Sequence, residues 1–214
     1  LRDLRTAFDV NVNGTINLMR AAQLRGVKQF IFASSEWVYG NARDGEVQTE
    51  DSVIDASRAQ SEYALTKIVG ERLLSMAHRR GSCPVTILRF GIVYGPRPKP
   101  MSAVEGLFNE VGTLETVEIK GSLNSGRRFI HVSDVAQGIL SVLGRTGCEI
   151  FNLSGDRVYT FREIIQESMR LQGRNPKVVE TDPTAINVRN PDNQKAKREL
   201  GWTQKVSFEE GVRR

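Results

Sequence analysis

The chain alternates between two kinds of apolar pattern. A helical spacing of three to four residues runs through about the first 24 residues and through 61–80, and short apolar runs follow at 28–34 (KQFIFAS) and 85–90 (VTILRF). Short β-branched runs without polar alternation are typical of strands that are covered on both faces. Strands that alternate with helices predict an α/β protein with a parallel sheet.

A proline-rich segment interrupts this alternation. Three of the seven prolines fall within five residues of GIVYGPRPKP (91–100), so we expect a loop there and a soft boundary between two halves of the chain. Beyond it the pattern predicts strands near 116–120, 128–132 and 149–153. It also predicts helices near 102–111, 133–144, 161–171 (capped by Thr160) and 193–200.

Composition and charge limit the kinds of partner that we expect for this chain. The 214 residues include 30 basic and 25 acidic ones, and the basic residues are scattered, so we expect no nucleic-acid partner. No apolar run approaches the roughly 18 residues of a membrane span, and no charged-then-apolar leader opens the chain. Cys83 and Cys148 are isolated, which predicts free thiols, no metal site and a cytoplasmic location.

The sharpest local signal is the pair Tyr63 and Lys67. At i and i+4 of a predicted helix they share one face, with their Cβ atoms about 6 Å apart. An ammonium near a phenol favours the phenolate, which then accepts or returns an alcohol proton. Alone, the pair is weak evidence for a catalytic site. However, Ser35 directly follows the predicted strand 28–34, and ligands of parallel sheets gather at the carboxyl ends of the strands.

Seven segments, in order, resemble the extended short-chain dehydrogenases/reductases, the NAD-dependent epimerase/dehydratase group typified by UDP-galactose 4-epimerase. These segments run nearly from end to end of the chain: NVNGT (11–15), FASSEWVYG (32–40), YALTK (63–67), LRFGIVYGPRP (88–98), RRFIHV (127–132), FNLSG (151–155) and LGW (200–202).

The resemblance implies a Rossmann-like, doubly wound parallel sheet, N-terminally incomplete, with a smaller α/β lobe. Residues 1–90 would form a partial NAD(P)-binding domain that carries the catalytic residues. Residues 91–214 would form mainly a substrate-binding lobe, with some segments returning to the Rossmann core.

It also implies an enzyme that uses NAD, with NADP as the other candidate, for reversible hydride transfer on a secondary alcohol of a sugar or nucleotide sugar. An epimerase is the first expectation. The alternatives are a sugar or small-alcohol dehydrogenase or reductase and, from another class, a non-catalytic nucleotide-binding relative. A homodimer is a compatible assembly.

The resemblance assigns roles residue by residue. The catalytic set is Ser35, Tyr63 and Lys67. The cofactor set adds Asn11, Ala33, Ser34 and Gly91 to Tyr63 and Lys67, and the substrate set is Ser35, Glu36, Trp37, Ile92 and Arg127, with Arg127 gripping a diphosphate.

Several departures qualify these assignments. Glu36 and Trp37 stand where the 4,6-dehydratases of the group carry an Asp-Glu pair, so we expect no elimination of water, although Glu36 remains a candidate acid. Ile92 replaces an Asn that usually binds the substrate phosphate. His131 is expected to be structural.

The largest departure concerns the glycine-rich turn that receives the pyrophosphate. None of the 19 glycines forms GxxGxxG or GxGxxG between a strand and a helix. We therefore expect that three strands and two helices, roughly 70 residues, precede Leu1 in the natural protein. Without them, residues 29–34 would form an exposed apolar sheet edge, and the chain would bind a dinucleotide poorly.

Overall fold

The computed structural model describes residues 2–43, 45–97, 99 and 102–213. Leu1 and the predicted loop's Pro98 and Pro100 lie outside the described residues. The helices are α1 (Arg2–Phe8), α2 (Gly14–Leu24), α3 (Glu62–Arg79), α4 (Ala103–Thr113), α5 (Val132–Ser141), α6 (Phe161–Gln172), α7 (Gln194–Leu200) and α8 (Phe208–Arg213). The strands are β1 (Phe30–Ser35), β2 (Val85–Phe90), β3 (Ile92–Tyr94), β4 (Thr116–Ile119), β5 (Gly126–Arg127), β6 (Phe129–His131), β7 (Cys148–Leu153), β8 (Tyr159–Thr160) and β9 (Lys177–Glu180).

A parallel three-stranded sheet of order β1-β2-β7 forms the centre of the fold. In its register Ser35 lies beside Phe90, and Phe90 beside Leu153, so the three carboxyl ends meet at one edge. The predicted α/β fold with a parallel sheet is confirmed. The strand β7, from the second half of the chain, pairs directly with β2.

Helices cover both faces of this sheet. On one face, residues of α2, α3, β1 and β2 form one cluster: Met19, Phe32, Leu74, Val85 and Ile87. On the other, α5, α7 and the segment after α7 contribute to a second cluster with Leu88, Ile130, Val135, Val142, Phe151, Leu153, Ala196 and Trp202. Burial on both faces explains why β1 and β2 lack polar alternation.

The second half of the chain has its own core and three small sheets. The strands pair as β3-β6 and β4-β9, both parallel, and as β5-β8, antiparallel. Helices α4, α6 and α8 pack into a cluster with them, which includes Val104, Val111, Phe129, Ile164 and Phe208. The division into domains at residue 91 stays a prediction.

The prediction of a loop over 91–100 was wrong at its start. Ile92–Tyr94 forms β3, because its residues pair with Phe129–His131 of β6 and not with a neighbour in sequence. The strands β5, β8 and β9 and the helix α8 were not predicted. Each has two to six residues, too few for a periodicity to show, and each depends on a distant partner.

Residues 2–24 form the predicted helix with one irregularity. A π-helical turn at Asp9–Asn13 joins α1 to α2, and π turns often accompany functional sites. None of the helices in the described part of the chain combines the length and apolar character that crossing a bilayer requires.

Candidate active site

The end of β1 supplies three consecutive residues that point in different directions. Ala33 is exposed, whereas Ser34 and Ser35 are buried. The Ser34 hydroxyl donates to Glu71 Oε1 at 2.5 Å, toward the interior. Ser35 caps the short 3-10 turn 36–39, where its Oγ accepts a hydrogen bond from the Trp37 amide at 3.4 Å. Both serines lie beside helix α3 (Glu62–Arg79), but Ser35 is the one that hydrogen-bonds to Tyr63.

That helix, α3, carries Tyr63 and Lys67 on one face. It begins after Ser61, whose Oγ accepts from the Ala64 amide. Tyr63 is 43% exposed and meets Trp37 edge to face, with 6.4 Å between ring centroids. Lys67 Nζ donates to the Ala33 carbonyl at 2.8 Å and lies 5.4 Å from the Tyr63 ring centroid. The structure thus brings together Ser35, Tyr63 and Lys67.

The electrostatics of this group differ from the expectation. Partial burial raises the pKa of Tyr63, and a hydrogen bond with Ser35 only partly offsets this. Burial also lowers the pKa of Lys67. The expected lowering of the phenol's pKa by Lys67 is absent here, because the ammonium is directed at the Ala33 carbonyl and not at the phenol oxygen.

Asn11 lies on the π turn and supports α3. Its side-chain amide donates to Thr66 Oγ1 at 3.0 Å, and the Thr66 hydroxyl donates to the Tyr63 carbonyl at 2.9 Å. Asn11 therefore contacts the backbone of the catalytic turn through one residue. Its role toward a cofactor stays a prediction.

Gly91 and Ile92 follow the end of β2. The Gly91 amide donates to the Leu153 carbonyl, and a Cβ at this position would lie 2.5 Å from the Arg128 carbonyl oxygen, so a larger residue does not fit. Ile92 is half-buried and pairs with Phe129.

Glu36 lies in a buried cluster with two arginines. Its side chain is fully buried, and its Oε1 is 3.9 Å from Arg127 Nε and 3.5 Å from Arg189 Nη1. Burial raises the pKa of Glu36 to about 7, although both guanidiniums oppose the shift. Burial also lowers the pKa of Arg127 to about 10. Arg127 further donates to the Asn187 side-chain carbonyl at 3.0 Å.

Two groups of site residues were missed by the sequence prediction. Arg189 comes from a loop after β9, and no local pattern marked it. A buried network continues from Ser34 under the sheet: Glu71 pairs with Arg89 at 2.7 Å, Arg89 donates to the Tyr39 hydroxyl, and Tyr39 donates to Asn152. Glu71 could have been found, because it follows Tyr63 and Lys67 at the same spacing of four.

His131 is placed as expected for a structural residue. It is buried, its Nδ1 accepts from the Ser133 amide at the start of α5, and its ring packs edge to face on Tyr94.

Comparisons with known proteins assign the chain to the same family that its seven sequence segments resemble. Residues 2–154 match the sequence model described as the NAD dependent epimerase/dehydratase family. UDP-glucuronate 4-epimerase of Thermodesulfobacterium geofontis is 30% identical over 209 residues, which are 96% of this chain and 64% of the relative. The chain therefore spans less than two thirds of that protein's length.

Solved structures of proteins that bind NAD are similar to this chain. MoeE5 in complex with UDP-glucose and NAD superimposes with a TM-score of 0.84 at 31% identity, over 96% of this chain and 69% of that one. UDP-glucose 4-epimerase of Thermus thermophilus in complex with NAD has a TM-score of 0.84 at 28% identity, over 96% and 68%.

Proposed function

This chain belongs to the NAD-dependent epimerase/dehydratase family, and from that premise we propose that it carries the catalytic part of an NAD-dependent nucleotide-sugar epimerase. The observation that carries the proposal is the meeting of Ser35, Tyr63 and Lys67 at the carboxyl end of a parallel sheet. Similar proteins that bind UDP-glucose and NAD support the substrate class and the cofactor.

The residues present fit the nicotinamide end of the cofactor. Lys67 already holds one backbone oxygen at this edge with one of its three donors, and the exposed Ala33 leaves room for a flat ring beside it. Asn11, Ser34, Gly91 and Tyr63 complete the proposed cofactor set. When bound, the nicotinamide would accept a hydride from the sugar carbon and return it.

The protein's own residues would carry out the proton transfer. We assign Tyr63 as the base that takes the proton of the substrate hydroxyl, and Ser35 as the hydrogen-bond partner of the same oxygen. Lys67 would hold the ribose with the donors that the Ala33 carbonyl leaves free. Trp37, Ile92 and Arg127 would line the substrate side, with Arg127 directed at the diphosphate, and the fully buried Glu36 would act through its contact with Arg127.

Substitution of Tyr63 tests the proposal. Tyr63→Phe keeps the ring packed on Trp37 and removes the proton acceptor, so turnover in the natural protein should fall roughly 10²- to 10⁴-fold while the fold is retained. Tyr159→Phe, in the second half of the chain, is the matched control. Retained activity in Tyr63→Phe would contradict the proposal.

The nicotinamide's absorbance distinguishes epimerase from dehydrogenase. An epimerase returns the hydride, so substrate turnover causes no net reduction of NAD. Stoichiometric formation of reduced cofactor would instead favour the sugar or small-alcohol dehydrogenase. A protein that binds nucleotide without turning over any sugar would be the non-catalytic relative.

We also propose an assembly and a location for the natural protein. An apolar groove of about 400 Å³ between α2 and α3, lined by Ile16, Met19 and Leu73 among others, is a candidate contact for a homodimer. Sedimentation of the natural protein, which measures its oligomeric state, tests whether it is a homodimer.

The two cysteines, Cys83 and Cys148, are free thiols, which favours the cytoplasm over an oxidising compartment.

A further inference from the structure

Arg189 reaches into the candidate active site from a distant part of the chain. Its side chain is 2% exposed. Its Nη2 donates to Gln60 Oε1 at 2.9 Å, and its guanidinium carbon lies 3.9 Å from the centroid of the Trp37 ring. With Glu36 as a third partner, Arg189 connects the segment after β9 with both loops that flank β1 and α3.

The ion pair with Glu36 does not by itself account for this position. At 3.5 Å the contact is at the limit of a hydrogen bond, and among the described residues neither Arg189 Nε nor Glu36 Oε2 has a hydrogen-bond partner. A buried arginine without full pairing is costly. The close contact with the indole face is therefore a main part of what holds the guanidinium.

The contacts continue from Trp37 to Tyr63. The Trp37 ring has the Arg189 guanidinium near one face, and it stands at 86° to the Tyr63 ring. Trp37 is half-buried, so part of its ring faces the space beside Tyr63. A movable indole at this place would change the space that the reacting sugar can occupy.

We propose that Arg189 is a positioning residue that fixes the Trp37 ring as a wall beside Tyr63 and so determines how a sugar ring is oriented toward it. The choice of a sugar rests on the proposed function, whereas the placement of Trp37 by Arg189 does not. The flat guanidinium matters for this role, because an ammonium keeps the charge but offers no planar surface to the indole.

Quenching of tryptophan fluorescence by acrylamide tests the placement without any substrate. Trp37 is the accessible tryptophan, since Trp202 is only 4% exposed. In Arg189→Lys and Arg189→Met the quenching constant should rise about twofold or more, because the stacked cation no longer shields the ring. Arg128→Met is the matched control: Arg128 also bonds to the segment after β9, at Asn190, and should leave quenching unchanged.

Because Arg189 is buried, its variants could fail to fold. Gln60→Ala then decides, since Gln60 is exposed and its loss frees one end of the guanidinium without opening the core. We expect a smaller rise in quenching with an unchanged melting temperature. Unchanged quenching in folded Arg189 variants, or in Gln60→Ala where those do not fold, would overturn the proposal.

Kinetics of the natural protein separate a positioning role from direct substrate binding. Arg189→Lys should lower kcat about 10- to 100-fold, since a 1 Å misplacement costs up to about 100-fold. In a Trp37→Leu background the same change should have no further effect. A raised KM with unchanged kcat that persists in that background would show direct contact with substrate and overturn the proposal. Full activity of Tyr63→Phe would defeat the proposed function alone and leave the fluorescence result standing.

Discussion

The two residues that follow Ser35 give the candidate site its individual chemistry. Glu36 is a carboxyl held among guanidiniums, and Trp37 is an aromatic wall. Trp37 cannot donate or accept a proton at the place where a second carboxylate would be needed to eliminate water. The substrate's leaving hydroxyl would then depend on Glu36 alone.

We therefore expect no elimination of water from the substrate. Incubation of the natural protein with nucleotide hexoses and NAD should give an epimer and no 4-keto-6-deoxy sugar, as checked by mass spectrometry. Trp37→Phe should behave in the same way, because it keeps an aromatic wall. A 4-keto-6-deoxy product at a rate comparable to epimerisation would show that Glu36, or another carboxyl, suffices.

Glu36 should also give stability an unusual dependence on pH. Its pKa in the folded protein, about 7, lies above its ordinary value of 4.5 because of burial. Between these values the folded protein holds a proton that the unfolded chain has lost, so the free energy of unfolding falls as pH rises. The slope from this group is at most about 1.4 kcal/mol per pH unit.

Glu36→Gln removes that titration. Urea unfolding between pH 4.5 and 7 should show that the variant gains stability relative to the wild type as pH rises. Glu118→Gln, which removes an exposed carboxylate from β4, is the control for the loss of one negative charge. A difference between wild type and Glu36→Gln that is constant over this range would contradict the assignment.

How well residues could be predicted depended on their separation in sequence. Tyr63 and Lys67 share a helical face, and the strand before Ser35 was short and continuous, so their meeting followed from local patterns and the resemblance. Arg189 contacts Glu36 across 153 positions and Gln60 across 129, and no local periodicity encodes such contacts. The direction of the Tyr63 pKa shift required knowing that the phenol is partly buried and that the Lys67 ammonium points at the Ala33 carbonyl.

At the level of elements, the distance between α3 and β1 determines how near the helix face that carries Tyr63 and Lys67 comes to the end of the strand. Gly70 lies one turn from Lys67, where a Cβ would be 2.7 Å from the Phe32 ring, and the Lys67 ammonium lies 5.0 Å from the centroid of that same ring. The absence of a side chain at Gly70 thus lets α3 approach the sheet closely enough for Lys67 to reach the Ala33 carbonyl.

Gly70→Ala should therefore destabilise the protein by about 1–3 kcal/mol, since overpacking of the core outweighs the better helix propensity of alanine. Gly106 in α4 is the matched control, because a Cβ there would meet no atom of the described residues within 4 Å apart from its chain neighbours and its own helix backbone. Gly106→Ala should gain up to about 1 kcal/mol. Denaturant unfolding measures both, and stabilisation by both substitutions would show that Phe32 yields at no cost.

Elements were predictable when they were long or had a clear boundary residue. The helix 161–172 has a capping box of Thr160 and Glu163, and the predicted cap was correct. The strands β5, β8 and β9 have two to four residues each and show no periodicity, and they form because a remote strand supplies their hydrogen bonds.

At the level of the whole molecule, β1 is an edge strand of the three-stranded sheet that the structure describes. Only β2 pairs with it there, as expected for residues 29–34. An apolar edge with unpaired backbone groups is a template for association with another chain. The 214-residue chain should accordingly associate as its concentration rises, and a monodisperse, cooperatively melting monomer in sedimentation and calorimetry would contradict this.

Binding of the cofactor by the same 214-residue chain should be weak. In the proposed cofactor set Lys67 and Asn11 would contact only the nicotinamide end, and none of the chain's glycines forms the glycine-rich turn whose amides and helix dipole receive a pyrophosphate. Titration calorimetry with NAD and with NADP should give a Kd above about 100 µM, which corresponds to less than about 5.5 kcal/mol of binding free energy. Lys67→Met is the control that tells site binding from nonspecific heat, because it removes the ammonium that lies 5.4 Å from the Tyr63 ring centroid. A Kd below this value that is lost in Lys67→Met would show that these residues retain the dinucleotide without a glycine-rich turn.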